Sequence, residues 1–531
     1  MGSLHATMTG RLARLTAWRP TRAAWATLPL AALVAAGVLV PLGYLAARAL
    51  SAQPSNVLAL VFRARNARLL ANTLALGGGV LAFATAVAAP LAWLSARAAL
   101  RWRGLVTAVG VLPLVLPGYV MATALLGAGG RGGLLTVLLG TDVPRVSGYA
   151  GAVLALGLYT SPYLFLNLRA ALLGLHPARE EAARSLGLGA GATFRQIVLP
   201  QLRPAFLAGS LLVLLHVFGD FGVVSLMRFE TFSYAIYLQY STAFDRVYAA
   251  WLALMLLALT GVLLWLEARL LRGQAGSQDR TPARHVRRVA LGRWAPLAWA
   301  HVALVGLAGA VLPVATLVFW STRGAATETW ARLGGALWDS VRASLPAAVI
   351  ATVIALGVAT VAVRRPGRPA RALERVAYLG YATPPLAFAL ALVVFSLRAA
   401  PALYQTLALL VAAYALHFLA EAIGPVRSAL YQAPARLEEA ARALGRGPVR
   451  AYWEATVPQL RGGLAASTAL VFLSAMKELP ITYLLSPLGF RSLAMGVWSA
   501  SSESLFSAAA PYALVLVAVS AAFVGLLLRT R

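Results

Sequence analysis

The stretch Glu180-Glu181-Ala182-Ala183-Arg184-Ser185-Leu186-Gly187 returns later in the same chain as Glu438-Glu439-Ala440-Ala441-Arg442-Ala443-Leu444-Gly445. Thirteen residues beyond each glycine stands a proline, Pro200 and Pro458, and each proline is followed by Gln-Leu-Arg. The matched positions are all 258 residues apart, so the chain carries one unit twice in tandem. Each copy describes a short helical knob. Pro177 sits where a first-turn proline is tolerated, and Glu180 and Glu181 complement the positive end of the helix dipole. Ala182 and Ala183 favour helix and add almost no bulk, so another surface can approach closely. Gly187 breaks the helix and permits an elbow, and Pro200 is expected to stop the following segment, through Phe194 and Ile197, before the next apolar run. A rigid, bent knob suits docking into a groove on a partner. An amphipathic helix lying on a membrane surface is the competing reading.

The rest of the chain is strongly apolar. Of its 531 residues 60% are hydrophobic and 12% charged, and the mean hydropathy is +0.76. Soluble domains carry about twice that share of charge, so the chain is expected to sit in a lipid bilayer. A helix needs about 20 mostly apolar residues to cross. Twelve such runs occur, near 26–47, 70–94, 105–126, 149–172, 206–226, 248–271, 296–319, 345–363, 376–397, 403–423, 464–485 and 508–528. With the repeat, they predict an all-α integral membrane fold of about twelve transmembrane helices in two tandem six-helix halves. The expected organisation is a basic N-terminus at 1–25, a first half at 26–272, a linker at 273–294 and a second half at 295–531.

The net charge of +29 falls mostly between the apolar runs. Arg11, Arg14, Arg19 and Arg22 precede the first run, Arg97, Arg101 and Arg103 follow the second, and Arg364, Arg365, Arg368 and Arg371 follow the eighth. Together with the arginines of 269–293 they lie on one side, which by the positive-inside rule puts both termini in the cytoplasm. Arg63, Arg65 and Arg68 fall on the other side, so the rule holds on balance. The pattern implies no nucleic-acid partner. With 0 Cys there is no disulfide, thiolate nucleophile, Fe–S cluster or cysteine zinc site. The single lysine, Lys477, lies between Met476 and Glu478, so no G-x-x-x-x-G-K-[ST] phosphate loop exists and any ATP must be bound by a partner.

The knobs carry a family resemblance. Glu181, Ala182, Ala183, Gly187, Ile197, Leu199 and Pro200 resemble the loop motif of permease subunits of binding-protein-dependent type I ABC importers. Glu439, Ala440, Ala441, Gly445 and Pro458 repeat it, departing at Ala455 and Val457, where the pattern favours Ile and Leu. In that family the motif forms the coupling helix that sits in a cleft of the ATPase subunit. Gly219-Asp220-Phe221-Gly222-Val223-Val224-Ser225-Leu226 and Lys477-Glu478-Leu479-Pro480-Ile481-Thr482 look like the fused ferric-iron permeases. The resemblance runs from about Asn72 to the C-terminus. It implies a permease subunit of the bacterial inner membrane that moves ferric iron from periplasm to cytoplasm and is not itself an enzyme. It also implies two copies of a cytoplasmic ATPase docked on 180–203 and 438–461, ATP and Mg on that partner, no cofactor on this chain, and a periplasmic substrate-binding protein. Related permeases for thiamine, phosphonate, sulfate-like anions or polyamines share much of the pattern. The rival from another class is an ion-coupled secondary transporter, which needs no docking knobs.

Several polar groups fall inside apolar runs. Asp220 and Glu478 stand 258 residues apart and late in their runs, where a carboxylate is costly and faces the bundle interior. They are candidates for a translocation path, or carboxylates that are neutralised by a nearby arginine or cap a broken helix beside Gly219, Gly222 and Pro480. His417 and Glu421 share one helix face, and Tyr159 and Tyr163 hold the corresponding places in the first half. They suit either a polar pore lining or a structural His–Glu pair. No set of ligands at metal spacing appears.

Overall fold

The computed structural model describes residues 28–51, 59–175, 177–243, 245–271, 288–323, 327–364 and 367–529. The expected N-terminal segment 1–25 and residues 273–287 of the expected linker lie outside them. The described residues form helices, with one isolated bridge between Ala98 and Val289. Eight helices are each long and apolar enough to span a membrane. Three further helix pairs are long and apolar enough together but sharply bent, the geometry of a broken span or a re-entrant loop: Arg103–Val115 with Gly118–Ala128 at 95°, Ala370–Ala382 with Pro385–Ala399 at 102°, and Leu407–His417 with Leu419–Gln432 at 52°. The remaining expected run yields Arg461–Met476, a helix of only 16 residues entered through the wide turn Tyr452–Thr456 and the tight turn Val457–Leu460.

The two sharpest bends have one cause. Pro117 and Pro384 are extended, with ψ of 152° and 133°, and each stands immediately before the second helix of its pair. Proline supplies no N–H to continue the preceding helix and disfavours helical geometry in the residue before it. The halves are then joined by a reciprocal clasp. Leu28–Leu50 packs on Arg246–Leu270, the last helix of its own half, and on the bent pair Arg368–Ala382 and Pro385–Ala399 of the other. Leu312–Ser321 likewise packs on Phe506–Arg529 of its own half and on Gly118–Ala128 of the first. Trp320 Nε1 donates to Gly127 O at 2.8 Å across this second contact.

Within a half, small residues bring helices together. Ala343, Ala347, Ala348, Ala351, Ala355 and Ala359 form a buried stripe on Thr327–Arg364, which packs against Leu419–Gln432 and Arg461–Met476. In lipid there is little hydrophobic drive between helices, so close backbone approach and interhelical hydrogen bonds hold them. Thr352 and Ser467 supply such a bond at 3.0 Å, and Ser467 Oγ donates to Ala422 O at 3.0 Å.

Two expectations are corrected. The runs at 206–226 and 464–485 are not helical to their ends: the helices stop at Gly219 and Met476, and the chain restarts as Gly222–Leu226 and Pro480–Leu485. Gly219, Asp220 and Gly222 interrupt the first helix and Lys477, Glu478 and Pro480 the second, and non-helical backbone at membrane depth is tolerated where it borders a cavity. Pro200 does not stop the segment after the elbow. It lies in the first turn of Leu199–Gly219, where a missing N–H costs nothing, and Ala190–Gly219 runs on through the wide turn Phe194–Val198.

Candidate translocation cavity and coupling loops

The bends and breaks of both halves surround a cavity of about 450 Å³. Leu114, Pro117 and Tyr119 border it from the first bend, and Tyr381, Thr383 and Pro384 from the second. Gly219, Asp220 and Gly222 line it from the first break, and Lys477, Glu478 and Pro480 from the second. All six residues singled out in the apolar runs line this one space: Asp220, Glu478, His417, Glu421, Tyr159 and Tyr163.

Each carboxylate also has a local partner. Asp220 Oδ1 accepts from Val223 N at 2.7 Å and Glu478 Oε1 from Ile481 N at 3.0 Å, so both cap the short helix that follows them. The carbonyls of the same residues are bonded too: Ser233 Oγ donates to Asp220 O and Thr482 Oγ1 to Glu478 O, each at 2.5 Å. Capping and cavity lining are therefore combined in one residue. Glu421 Oε2 accepts from Ser474 Oγ at 2.6 Å, so this carboxylate is held by the neighbouring helix rather than by His417. His417 instead packs among rings, with Phe388 at 5.5 Å and Tyr381 at 6.1 Å between centroids.

Other lining groups lay outside the residues singled out. His216 stacks on Tyr163 with ring centroids 4.4 Å apart, and its Nδ1 lies 2.8 Å from Leu212 O. The lone lysine points here as well: Lys477 Nζ donates to Leu114 O at 3.1 Å, tying the second half's break to the first half's bend. Its flanking by Glu478 inside an apolar run was the available signal. Tyr381 and Ser474 had none beyond the repeat register. Among the described residues no group of three metal-binding side chains is close enough to hold an ion. The cavity thus offers three separated carboxylates and one ammonium, a wall that can touch a polar solute without caging it.

The knobs are Pro177–Ser185 and Ala435–Ala443. Gly187 and Gly445 follow them with φ of +85° and +81°, the left-handed conformation that a C-terminal glycine supplies. Each glycine N–H bonds back to the helix, to Arg184 O and Arg442 O, both at 2.9 Å. Just before the glycines Leu186 and Leu444 are 83% and 84% exposed, and Glu181, Ala182, Glu439 and Ala440 are exposed beside them. In the second knob Arg450 and Arg446 meet Glu454 at 2.5 and 3.3 Å, holding its carboxyl below the usual range.

A duplicated membrane bundle, broken around a polar cavity between its halves and carrying two bent, exposed knobs, has the architecture of a transport permease. The chain belongs to the binding-protein-dependent transport system inner membrane component family, whose model matches residues 88–275 and again 348–530. It is 30% identical over 503 residues to the Fe(3+)-transport system permease protein FbpB 2 of Haemophilus influenzae, covering 93% of this chain and 96% of that protein. It is also 33% identical over 184 residues to a probable molybdenum ABC transporter permease protein of Haloferax volcanii, covering 34% of this chain and 67% of that one. The molybdenum transport system permease protein ModB of Azotobacter vinelandii matches at 37% over 141 residues, 26% of this chain and 62% of its own length. These relatives are permeases rather than enzymes.

Proposed function

We propose that the chain is the two-half permease of an ABC importer that carries ferric iron into the cytoplasm through the central cavity. The observation that carries this reading is the convergence of Asp220, Glu421 and Glu478 on one space between the halves. Ferric iron is a hard cation that prefers oxygen donors, and separated carboxylates can pass it on without trapping it. The similarity to a protein named for Fe(3+) transport extends over nearly the full length. The halves are taken as 26–272 and 295–531, with both termini cytoplasmic by the arginine distribution. Two copies of a separate ATPase would then seat on Glu181, Ala182, Ala183, Gly187 and Pro200, and on Glu439, Ala440, Ala441, Gly445 and Pro458. A periplasmic binding protein would deliver cargo to the opposite face. ATP binding closes the ATPases, draws the knobs together and opens the cavity outward, and hydrolysis resets it.

Lys477 supports a second reading, an oxyanion cargo, which the molybdenum permease relatives also suggest. Proteoliposomes containing the permease, its ATPase and its binding protein separate the two. Uptake of radiolabelled ferric iron that requires ATP and is not competed by molybdate is expected. ATP-driven molybdate uptake without ferric uptake would replace the cargo. Uptake that persists without the ATPase and collapses with the proton gradient would replace the class of transporter.

A further inference from the structure

We propose that Arg97 is a positioning residue for coupling: its ion pair with Glu180 makes the first knob a rigid extension of the second membrane span, whereas the second knob is tied to its span by a neutral hydrogen bond without a charge pair. The inference rests on the reading of the knobs as ATPase seats. Arg97 is the last residue of Ala64–Arg97 and is buried. Its Nη1 lies 2.9 Å from Glu180 Oε1, and its Nε donates to Leu172 O at 3.2 Å, near the end of the helix that leads into the knob. One guanidinium therefore ties the end of one span, the end of another and the knob. The backbone joins the same point. Val289 N donates to Arg97 O, and Ala99 N donates to Val289 O, each at 2.9 Å, so the chain entering the second half is pinned there too.

The repeat shows what is particular to the first knob. Arg364 ends Thr327–Arg364 as Arg97 ends its helix, and the two lie 267 residues apart, the spacing that also separates Pro117 from Pro384. Arg364 Nη2 reaches Ala433 O at 3.5 Å, about one turn beyond Leu430, the residue that matches Leu172 at the 258-residue spacing. The acidic partner is used differently. Glu438, the equivalent of Glu180, pairs with Arg442 of its own helix at 2.5 Å and accepts from Thr456 Oγ1 at 3.3 Å. A buried pair resists separation because either partner left alone is an uncompensated charge, while an exposed pair within one helix contributes little. In place of the buried charge pair, the second knob's following turn is tied to its span by Tyr452, whose hydroxyl lies 2.7 Å from Thr360 Oγ1, so two knobs of the same shape hang differently on the membrane bundle.

The absence of cysteine makes distance labelling direct. Spin labels at Ser185→Cys and Leu74→Cys report the first knob against its span, and labels at Ala443→Cys and Leu345→Cys report the second. In the assembled transporter the first pair is expected to give the narrower distance distribution. Arg97→Gln should broaden it to match the second pair and lower uptake per ATP hydrolysed roughly fivefold or more. Glu180→Gln should do the same, Arg97→Lys should recover most of the coupling, and Glu438→Gln should change it by less than about twofold. Gln variants that keep a narrow distribution and wild-type coupling would overturn the proposal, as would an Arg97→Lys variant no better than Arg97→Gln at equal complex yield. If Glu181→Ala and Glu439→Ala leave ATPase co-purification intact, the docking reading fails instead, and the label distances in the permease alone still decide the latch.

Discussion

Asp220 and Glu478 hold the same position in a duplicated break: each follows the end of a membrane helix, bonds the amide three residues ahead, and lines the same cavity as the other. The charge is kept where an apolar residue would insert into the membrane more cheaply, by roughly 2.5 kcal/mol or more at the bilayer centre. A cap alone needs only a polar oxygen, which asparagine and glutamine also offer.

That difference allows charge and capping to be separated. Asp220→Asn and Glu478→Gln should leave the yield of permease–ATPase complex near wild type and lower uptake per complex. Asp220→Ala removes the cap as well and should cost about 1 kcal/mol of stability. Uptake is normalised to complex recovered in detergent, and wild-type uptake in the Asn/Gln double variant would leave the two acids as caps only.

The elbows yield a second prediction. Gly187 and Gly445 stand at positive φ with open space around the position of a Cβ, so a side chain meets no clash and pays only backbone strain. A β-branched residue there costs about 1–3 kcal/mol locally. Gly187→Val and Gly445→Val should therefore straighten or fray the knob while the membrane core stays folded. Reduced ATPase co-purification, with an unchanged thermal midpoint for the permease alone, is the expected pair of results.

The clasp between halves gives a third. Trp320→Phe keeps an aromatic ring beside Gly127, with some loss of volume, and removes the N–H bonded to its carbonyl. Interhelical hydrogen bonds in membranes contribute about 0.6 kcal/mol on average. The variant should lower the permease's thermal midpoint by a small, measurable amount, and Leu312–Ser321 should become more accessible to cysteine labelling from lipid.

The knobs were legible because their signals are local: a helix-ending glycine, a first-turn proline and a constant repeat distance need no tertiary knowledge. Asp220, Glu478, His417, Glu421, Tyr159 and Tyr163 were found because polar groups stand out in apolar runs, and the cavity collects all of them. The breaks at Gly219 and Met476 were hidden, since hydropathy averages over a window and the segments beyond remain apolar. The reciprocal packing of Leu28–Leu50 and Leu312–Ser321 on opposite halves depends on side chains hundreds of residues apart. So does the choice of Ser474 over His417 as the partner of Glu421.

Lys477 separates the two cargo readings most sharply. Its Nζ is held by Leu114 O, and it shares a cavity with three carboxylates, so it is the one resident ammonium lining the cavity among the described residues. Lys477→Met keeps the stem and removes the charge. At an effective dielectric of about 20, a unit charge some 8 Å away contributes about 2 kcal/mol, or a roughly thirtyfold change in affinity. For a ferric cargo the variant should bind cation more tightly and release it more slowly, so that KM and kcat fall together. For an oxyanion cargo the same variant removes the only attractive charge, and KM should rise while kcat falls. Loss of the hydrogen bond to Leu114 O acts on both cargoes alike and would lower complex yield, which the detergent control reads separately. Initial uptake rates across a range of loaded binding protein distinguish these outcomes, and an unchanged KM with either cargo would place Lys477 outside the path.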